Sequence, residues 1–236
     1  MMTTLEGKTT LITGGTGALG TVVAERFLKE GSSVATSYLF EDELKRLPDD
    51  FRKHVLTVRA DVTDDEDVAA LFQQAINKFG KVDILINIVG GFLPKIMLRV
   101  VSTKDWDHMM GLNLKSAFLC SREFLQRSGS ASYGRIISMA AMPAIKPSPG
   151  RGPYAVSKAG VVMLTQVLGE ELRGTGITAN AIAPSIIRTQ ANIQSMPGEN
   201  PSNWVAPGEI AELMLTLCGE GGKSINGVCV PMFGGV

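Results

Sequence analysis

The stretch Thr13-Gly14-Gly15-Thr16-Gly17-Ala18-Leu19-Gly20 decides how the rest of the chain is read. A short apolar run, Thr9–Thr13, leads into it. Ala18–Glu30 follows with helical periodicity, and Gly31 stops it. Glycines let the backbone turn tightly and come close to a pyrophosphate. The N–H groups and dipole of the following helix then favour its negative charge. Glycine-rich turns are common, so the strand before and the helix after are what make this one a candidate dinucleotide site.

Outward from this stretch, strand and helix alternate. Val34–Tyr38 reads as a second strand, Glu41–Leu47 as a short helix before Pro48, and Val55–Ala60 as a third strand. Thr63 or Asp64 caps the next helix, whose acidic first turn suits the helix dipole. Val82–Val89 is a nearly continuous apolar run, as a strand buried on both faces requires. Ser102-Thr103-Lys104-Asp105 resembles a capping box opening a long helix to about Arg127. Arg135–Ser138 is a fifth strand, and a Pro/Gly/Ser-rich loop from Met142 to Pro153 precedes a helix over Tyr154–Arg173. Ile177–Ala183, a helix over Pro207–Leu217 and a strand over Gly227–Pro231 complete the series. This alternation predicts an α/β fold: a doubly wound, Rossmann-type parallel sheet with helices on both faces, in a single domain over 1–236. Ligands are expected beyond the carboxyl ends of the strands.

Composition narrows the function. Of 236 residues, 44% are hydrophobic, enough for a sizeable core. Lys plus Arg and Asp plus Glu number 23 each, with no long basic run, so no nucleic-acid partner is expected. Cys120, Cys218 and Cys229 are widely spaced and form no CxxC, which suits a reducing, cytoplasmic setting. The Met1–Lys8 lead is polar and does not resemble a secretory leader. No apolar run is long enough to span a membrane, and no metal-ligand cluster is present. His54 and His108 read as bystanders.

The chemistry-bearing pattern is Tyr154-Ala155-Val156-Ser157-Lys158. On a helix, i and i+4 share a face, one turn apart. A phenol titrates near pH 10 in water, and a neighbouring cation favours the phenolate. Such a pair can exchange a proton at a substrate while hydride passes to or from a nicotinamide.

With these motifs in hand, the chain resembles the short-chain dehydrogenase/reductase family over nearly its whole length. The glycine stretch is similar to that family's TGxxxGxG fingerprint, matching at Thr13, Gly14 and Gly20, with Ala18 in place of the middle glycine. The resemblance implies that Gly14, Thr16, Gly17, Ala18, Leu19 and Gly20 hold the coenzyme phosphates, and that Asp61, with Val62 beside it, meets the adenine. Asn87 and Gly90 match the family's NNAG segment, with Ile88 and Val89 between them. Pro184, Ile187 and Thr189 fall in the PGxxxT segment that meets the nicotinamide amide, Ser185 replacing its Gly. By the same resemblance Tyr154 is the acid/base, Lys158 also binds the nicotinamide ribose, and Asn113 helps hold a water beside the lysine.

Two departures matter. An acid at the end of the second strand would bond the ribose diol and select NAD, but Tyr38 stands there. Thr16 and Gly17 also replace the Arg sometimes found in the loop. Losing the acid removes repulsion against a 2′-phosphate, which favours NADP(H) over NAD(H). The second departure is Ala141, thirteen residues before Tyr154, where the family usually has a serine that polarises the substrate carbonyl. Ser138 lies three residues too early to replace it. An essential donor of this kind is worth about 3 kcal/mol.

Dihydropteridine reductases, a subgroup of the family, also lack the serine and reduce a quinonoid pterin. Gly14–Gly20, Val89-Gly90-Gly91-Phe92 and Ser195–Trp204 resemble their GGRGALG, AGGW and SMPEADFSSW stretches. Phe92, Ala141 and Trp204 are therefore candidate substrate contacts, with Trp204 alternatively a packing anchor for a short substrate loop over about 189–206. Three functions follow: a reductase acting on a small substrate such as a quinonoid dihydropterin; a carbonyl or 3-oxoacyl oxidoreductase; and a dinucleotide-binding regulatory protein without turnover. The resemblance also implies a homodimer or homotetramer, paired through helices near Trp106–Arg127 and Tyr154–Arg173. Phe118, Val162 and Leu168 are contact or core residues there.

Overall fold

A computed structural model describes residues 5–45, 47–129 and 131–236. Met1 to Thr4 of the polar lead and Arg46 of the expected second helix lie outside the described residues. Among the described residues seven strands form one parallel sheet: β1 (Thr9–Thr13), β2 (Ser33–Tyr38), β3 (Val55–Arg59), β4 (Ile84–Asn87), β5 (Gly134–Met139), β6 (Ile177–Pro184) and β7 (Cys229–Met232). Their order is β3-β2-β1-β4-β5-β6-β7. The direction of winding reverses between β1 and β4, which opens a crevice at their carboxyl ends.

Period-two alternation along the strands divides the core in two. Ile12, Val34, Ile86, Ile137 and Ile182 face one layer, where they meet Val23 and Phe27 of α1 (Ala18–Lys29) and Ile210 and Met214 of α9 (Pro207–Cys218). Their neighbours Leu11, Ala35, Leu85, Ile136 and Ala179 face the other. There they pack on Leu71 and Phe72 of α4 (Asp65–Phe79), Phe124 of α6 (Ser116–Ser128) and Leu168 of α7 (Gly152–Glu171). A sheet covered on both faces explains why these strands are apolar at nearly every position. Leu168 is thus a core residue, whereas Phe118 is 43% exposed.

Several elements differ from the sequence reading, each for a local reason. The second helix is α2 (Glu41–Leu44), shorter than expected. Pro48 does not simply end it; it stands at the N-cap of a further helix, α3 (Asp49–His54). The helix capped by Ser102, whose hydroxyl accepts from Asp105 N–H, is not continuous. α5 (Thr103–Met109) and α6 are joined by a π-helical turn over Met110–Lys115. The stretch 189–206 is not a bare loop, since it contains α8 (Gln190–Ser195) and a 3-10 turn, Pro201–Asn203. Among the described residues no helix is long and apolar enough to cross a membrane, and no His/Cys/Asp/Glu group could hold a metal.

Candidate active site and dinucleotide cleft

The glycine stretch forms the floor of a cleft of about 330 Å³ at the carboxyl ends of β1, β2 and β4. Gly14 adopts a φ of +70°, open to glycine at little cost. Its N–H and that of Gly15 donate to Ser37 Oγ and Thr36 Oγ1 of β2, at 3.1 and 2.8 Å. A Cβ on Gly20 would lie 2.2 Å from Gly14 O, so this position cannot carry a side chain without moving backbone. Gly17 is the N-cap of α1 and supplies no side-chain cap, which leaves the first-turn N–H groups directed at the cleft. Ala18, at the family's middle glycine, is exposed on that rim and lines the cleft.

The structure brings Gly14, Thr16, Gly17, Ala18, Leu19, Gly20, Tyr38, Asp61, Val62 and Gly90 together around this one cleft. Asp61 Oδ1 accepts from Thr63 N–H and Thr63 Oγ1, which fixes the carboxylate at its edge. Asn87 is not part of the lining. It is buried at the end of β4 and its Nδ2 donates to Ser138 Oγ at 3.1 Å, so its side chain points into the sheet layer instead. Ser138 is engaged by the same bond and stays on the strand. Glu43 of α2 also lines the cleft and was not singled out from the sequence. Its i+3 spacing from Phe40 carried only a helix-capping signal.

Beyond the cleft lies the Tyr154–Lys158 pair. Lys158 is 5% exposed, and its Nζ donates to Met139 O at 2.7 Å. Burial lowers its pKa to about 8. Burial raises that of Tyr154, and the positive charge opposing this rise is Arg151, one turn earlier. In this geometry Lys158 also binds the end of β5, and Arg151 adds a second positive charge near the phenol.

The π turn is what places Asn113. It rotates the side chain inward to 1% exposure, where Oδ1 accepts from Gly91 N–H at 2.9 Å. Its Nδ2 donates to Gly91 O and to Ser157 Oγ, both at 3.0 Å. Ser157 Oγ in turn donates to Tyr154 O at 2.9 Å. A Cβ on Gly90 would fall 2.6 Å from Asn113 Oδ1 and 3.0 Å from Lys158 Nζ, so the three groups meet at that glycine. π turns concentrate at functional sites because the extra residue redirects a side chain.

A second, narrower recess beside Tyr154 is lined by Leu93, Pro94, Ile96, Val101, Gly150, Arg151 and Pro153. Arg151 Nη1 donates to Leu93 O at 2.7 Å, and its guanidinium lies 5.7 Å from the Phe92 ring, which is 63% exposed. Ala141 is buried just after β5 and brings no hydroxyl. Trp204 is 4% exposed, so its indole sits in the interior rather than over the recess. Thr189 caps α8 by accepting from Asn192 N–H, and Ile187 bridges to Val205. Ser185 at the end of the β6 segment donates to Phe233 O at 2.8 Å, a bond that the usual glycine cannot make.

The short chain dehydrogenase family profile matches residues 8–200, and so covers the glycine stretch, the π turn and the Tyr154–Lys158 helix. The chain belongs to the short-chain dehydrogenase family. Its sequence is 31% identical to an NADPH-dependent aldehyde reductase-like protein of Arabidopsis thaliana, across 98% of this chain and 94% of that one. It is 29% identical to the 3-oxoacyl-(acyl-carrier-protein) reductase FabG of Rickettsia bellii, across 100% and 99%. The 3-ketoacyl-(acyl-carrier-protein) reductase of Brucella melitensis, solved in complex with NADH, superposes with a TM-score of 0.86 at 29% identity, covering 98% and 99% of the chains. As a short-chain dehydrogenase the protein is an oxidoreductase with a Rossmann-type fold.

Proposed function

We propose that this short-chain dehydrogenase reduces a carbonyl compound with a nicotinamide coenzyme, using Tyr154 as the proton donor. The observation that carries the reading is the meeting of Lys158, Asn113 and the Gly90–Gly91 backbone between the glycine-rich cleft and Tyr154. The cleft fits the group: Gly20 lets the loop close tightly, since a Cβ there would strike Gly14 O, and the α1 N-terminus supplies donors to a pyrophosphate. When bound, the coenzyme supplies hydride. Gly14, Thr16 to Gly20 and Asp61 would hold its adenosine and phosphates, and Lys158, Pro184, Ile187 and Thr189 its nicotinamide half.

The chain's own residues then have separable tasks. Tyr154 stays protonated because burial holds its pKa up, so the phenol is ready to give a proton to a developing alkoxide. Lys158 fixes the coenzyme ribose and ties α7 to the end of β5. Asn113 and Ser157 hold the helix turn beneath Tyr154. The apolar walls of the recess, Leu93, Ile96 and Val101, exclude water around the reacting carbonyl. Relatives named as aldehyde and 3-oxoacyl reductases support a carbonyl substrate.

A second substrate, a quinonoid dihydropterin, is favoured by one feature: Ala141 offers no hydroxyl to a carbonyl, while exposed Phe92 offers a face on which a flat ring can stack. Pairing of two copies is supported by apolar side chains left exposed on α6 and α7, including Phe118, Met163 and Val167. Buried, unpaired Cys120 and Cys218 support a reducing, cytoplasmic setting.

The test is coenzyme oxidation followed by absorbance, with a medium-chain aldehyde, a 3-oxoacyl thioester and freshly made quinonoid dihydropterin run in parallel. Turnover of the aldehyde or thioester supports the carbonyl reading. Turnover of the pterin alone would replace it with the second reading.

A further inference from the structure

We propose that Glu43 is the coenzyme-selecting carboxylate of this protein, and that it makes the cleft favour NAD(H) over NADP(H). The inference rests on the reading of the cleft as the adenosine half of a nicotinamide dinucleotide site. From sequence alone the ribose end looks uncharged, because Tyr38 occupies the strand position where an acid would select NAD. The structure brings an acid to the same place from the next helix.

Glu43 lines the cleft together with Thr16, Gly17 and Tyr38. Its Oε1 accepts from the backbone N–H groups of Leu39 and Phe40, at 3.1 and 2.9 Å. Its Oε2 accepts from the Thr16 hydroxyl. The first two bonds anchor the carboxylate to the start of α2, and the third couples it to the phosphate loop. A second carboxylate stands close by, since the Tyr38 phenol donates to Glu41 Oε1 at 3.0 Å. Among the described residues lining the cleft there is no Lys or Arg. Arg59, whose charge reaches the Tyr38 phenol from β3, is exposed and outside that lining.

The chemistry distinguishes the two coenzymes at one group. A ribose 2′-hydroxyl is a donor, and a carboxylate fixed beside Thr16 is an acceptor for it. A 2′-phosphate is a dianion that can only repel a held carboxylate. Glu43 thus takes the part that the missing strand-end acid would play.

Calorimetric titration of the purified protein with NAD+ and with NADP+, without substrate, tests this. The expected result is tighter binding of NAD+ by at least about tenfold, a factor within reach of one like-charge contact. Glu43→Gln retains an acceptor for the α2 cap but removes the charge, and is expected to bring the two affinities within about threefold, chiefly by tightening NADP+. Thr16→Val leaves the cap untouched and is expected to narrow the preference partially, which keeps the test open if Glu43→Gln folds poorly. Tighter binding of NADP+ by the wild type, or an unchanged preference in both variants, would overturn the proposal. Binding of neither coenzyme would instead overturn the underlying reading of the cleft, and the proposal with it.

Discussion

Lys158 Nζ donates a 2.7 Å hydrogen bond to the carbonyl of Met139, the last residue of β5. That bond ties the helix carrying Tyr154 to the strand that ends two residues before Ala141. It also buries an ammonium group, and burial lowers the lysine from 10.5 to about 8. Below about pH 8 folded and unfolded chains are both protonated at this site, and the full desolvation cost stands. Between about 8 and 10.5 the unfolded chain holds the proton more, so this group's contribution to stability rises with pH across that window. Lys158→Met is expected to melt higher at pH 7 than the wild type while losing turnover, and to flatten the stability profile between those values. The ceiling on the gain is on the order of 3 kcal/mol, reduced by loss of the Met139 bond. Thermal melts of the coenzyme-free proteins across pH provide the check. A lower melting temperature with an unchanged profile would show that the buried ammonium carries no such cost.

With Tyr154 as the proton donor, Arg151 is expected to set the alkaline side of catalysis. Burial raises the Tyr154 phenol, and the guanidinium of Arg151 opposes that rise. Reduction needs the protonated phenol, so the rate falls as pH climbs through its pKa. Arg151→Gln removes the opposing charge, and the alkaline limb of kcat is expected to move to higher pH. A limb that stays in place would separate Arg151 from the chemistry.

At Gly20 a Cβ would lie 2.2 Å from Gly14 O and 2.5 Å from Gly15 Cα. Gly20→Ala is expected to weaken coenzyme binding by about tenfold or more, as the loop shifts away from the α1 N-terminus. At Gly17 the nearest atom lies 3.4 Å away, and Gly17→Ala is expected to bind nearly as the wild type does. Titration with coenzyme compares the two variants directly, and equal losses would contradict this account of the loop.

Ala141 lies where a hydroxyl would face the reacting carbonyl in the family. If the substrate is a carbonyl compound, Ala141→Ser adds a donor to the developing alkoxide. It is expected to raise kcat on an aldehyde or 3-oxoacyl thioester by about tenfold, part of the 2.7–4 kcal/mol associated with such donors. Steady-state kinetics on both substrates measure it. An unchanged or lower kcat would favour a substrate with no need for that donor.

The fold was legible because strand and helix announce themselves by local periodicity and by glycine punctuation. The glycine turn after β1 was legible for the same reason: Gly14 takes a φ of +70° and Gly20 has no room for a Cβ. The π turn at Met110–Lys115 was not, because periodicity carries no mark of one extra residue per turn, and it is this turn that sends Asn113 inward. The direction of the Asn87 side chain was not legible for a related reason. Its family motif is local, but the direction of its side chain depends on Ser121 and Ser138, far along the chain. Arg151 and Glu43 escaped notice because each reads as an ordinary polar residue beside a helix start, and only the tertiary structure sets them in the recess and the cleft.

The central claim, reduction with Tyr154 as the proton donor, is tested most directly by comparing the wild type with Tyr154→Phe. Coenzyme affinity and steady-state turnover of an aldehyde and a 3-oxoacyl thioester would be measured on the same preparations. The account predicts affinities within about threefold of each other and a loss of kcat of about a hundredfold or more in the variant, the scale of a general acid. Turnover that survives in Tyr154→Phe, with coenzyme binding intact, would contradict it.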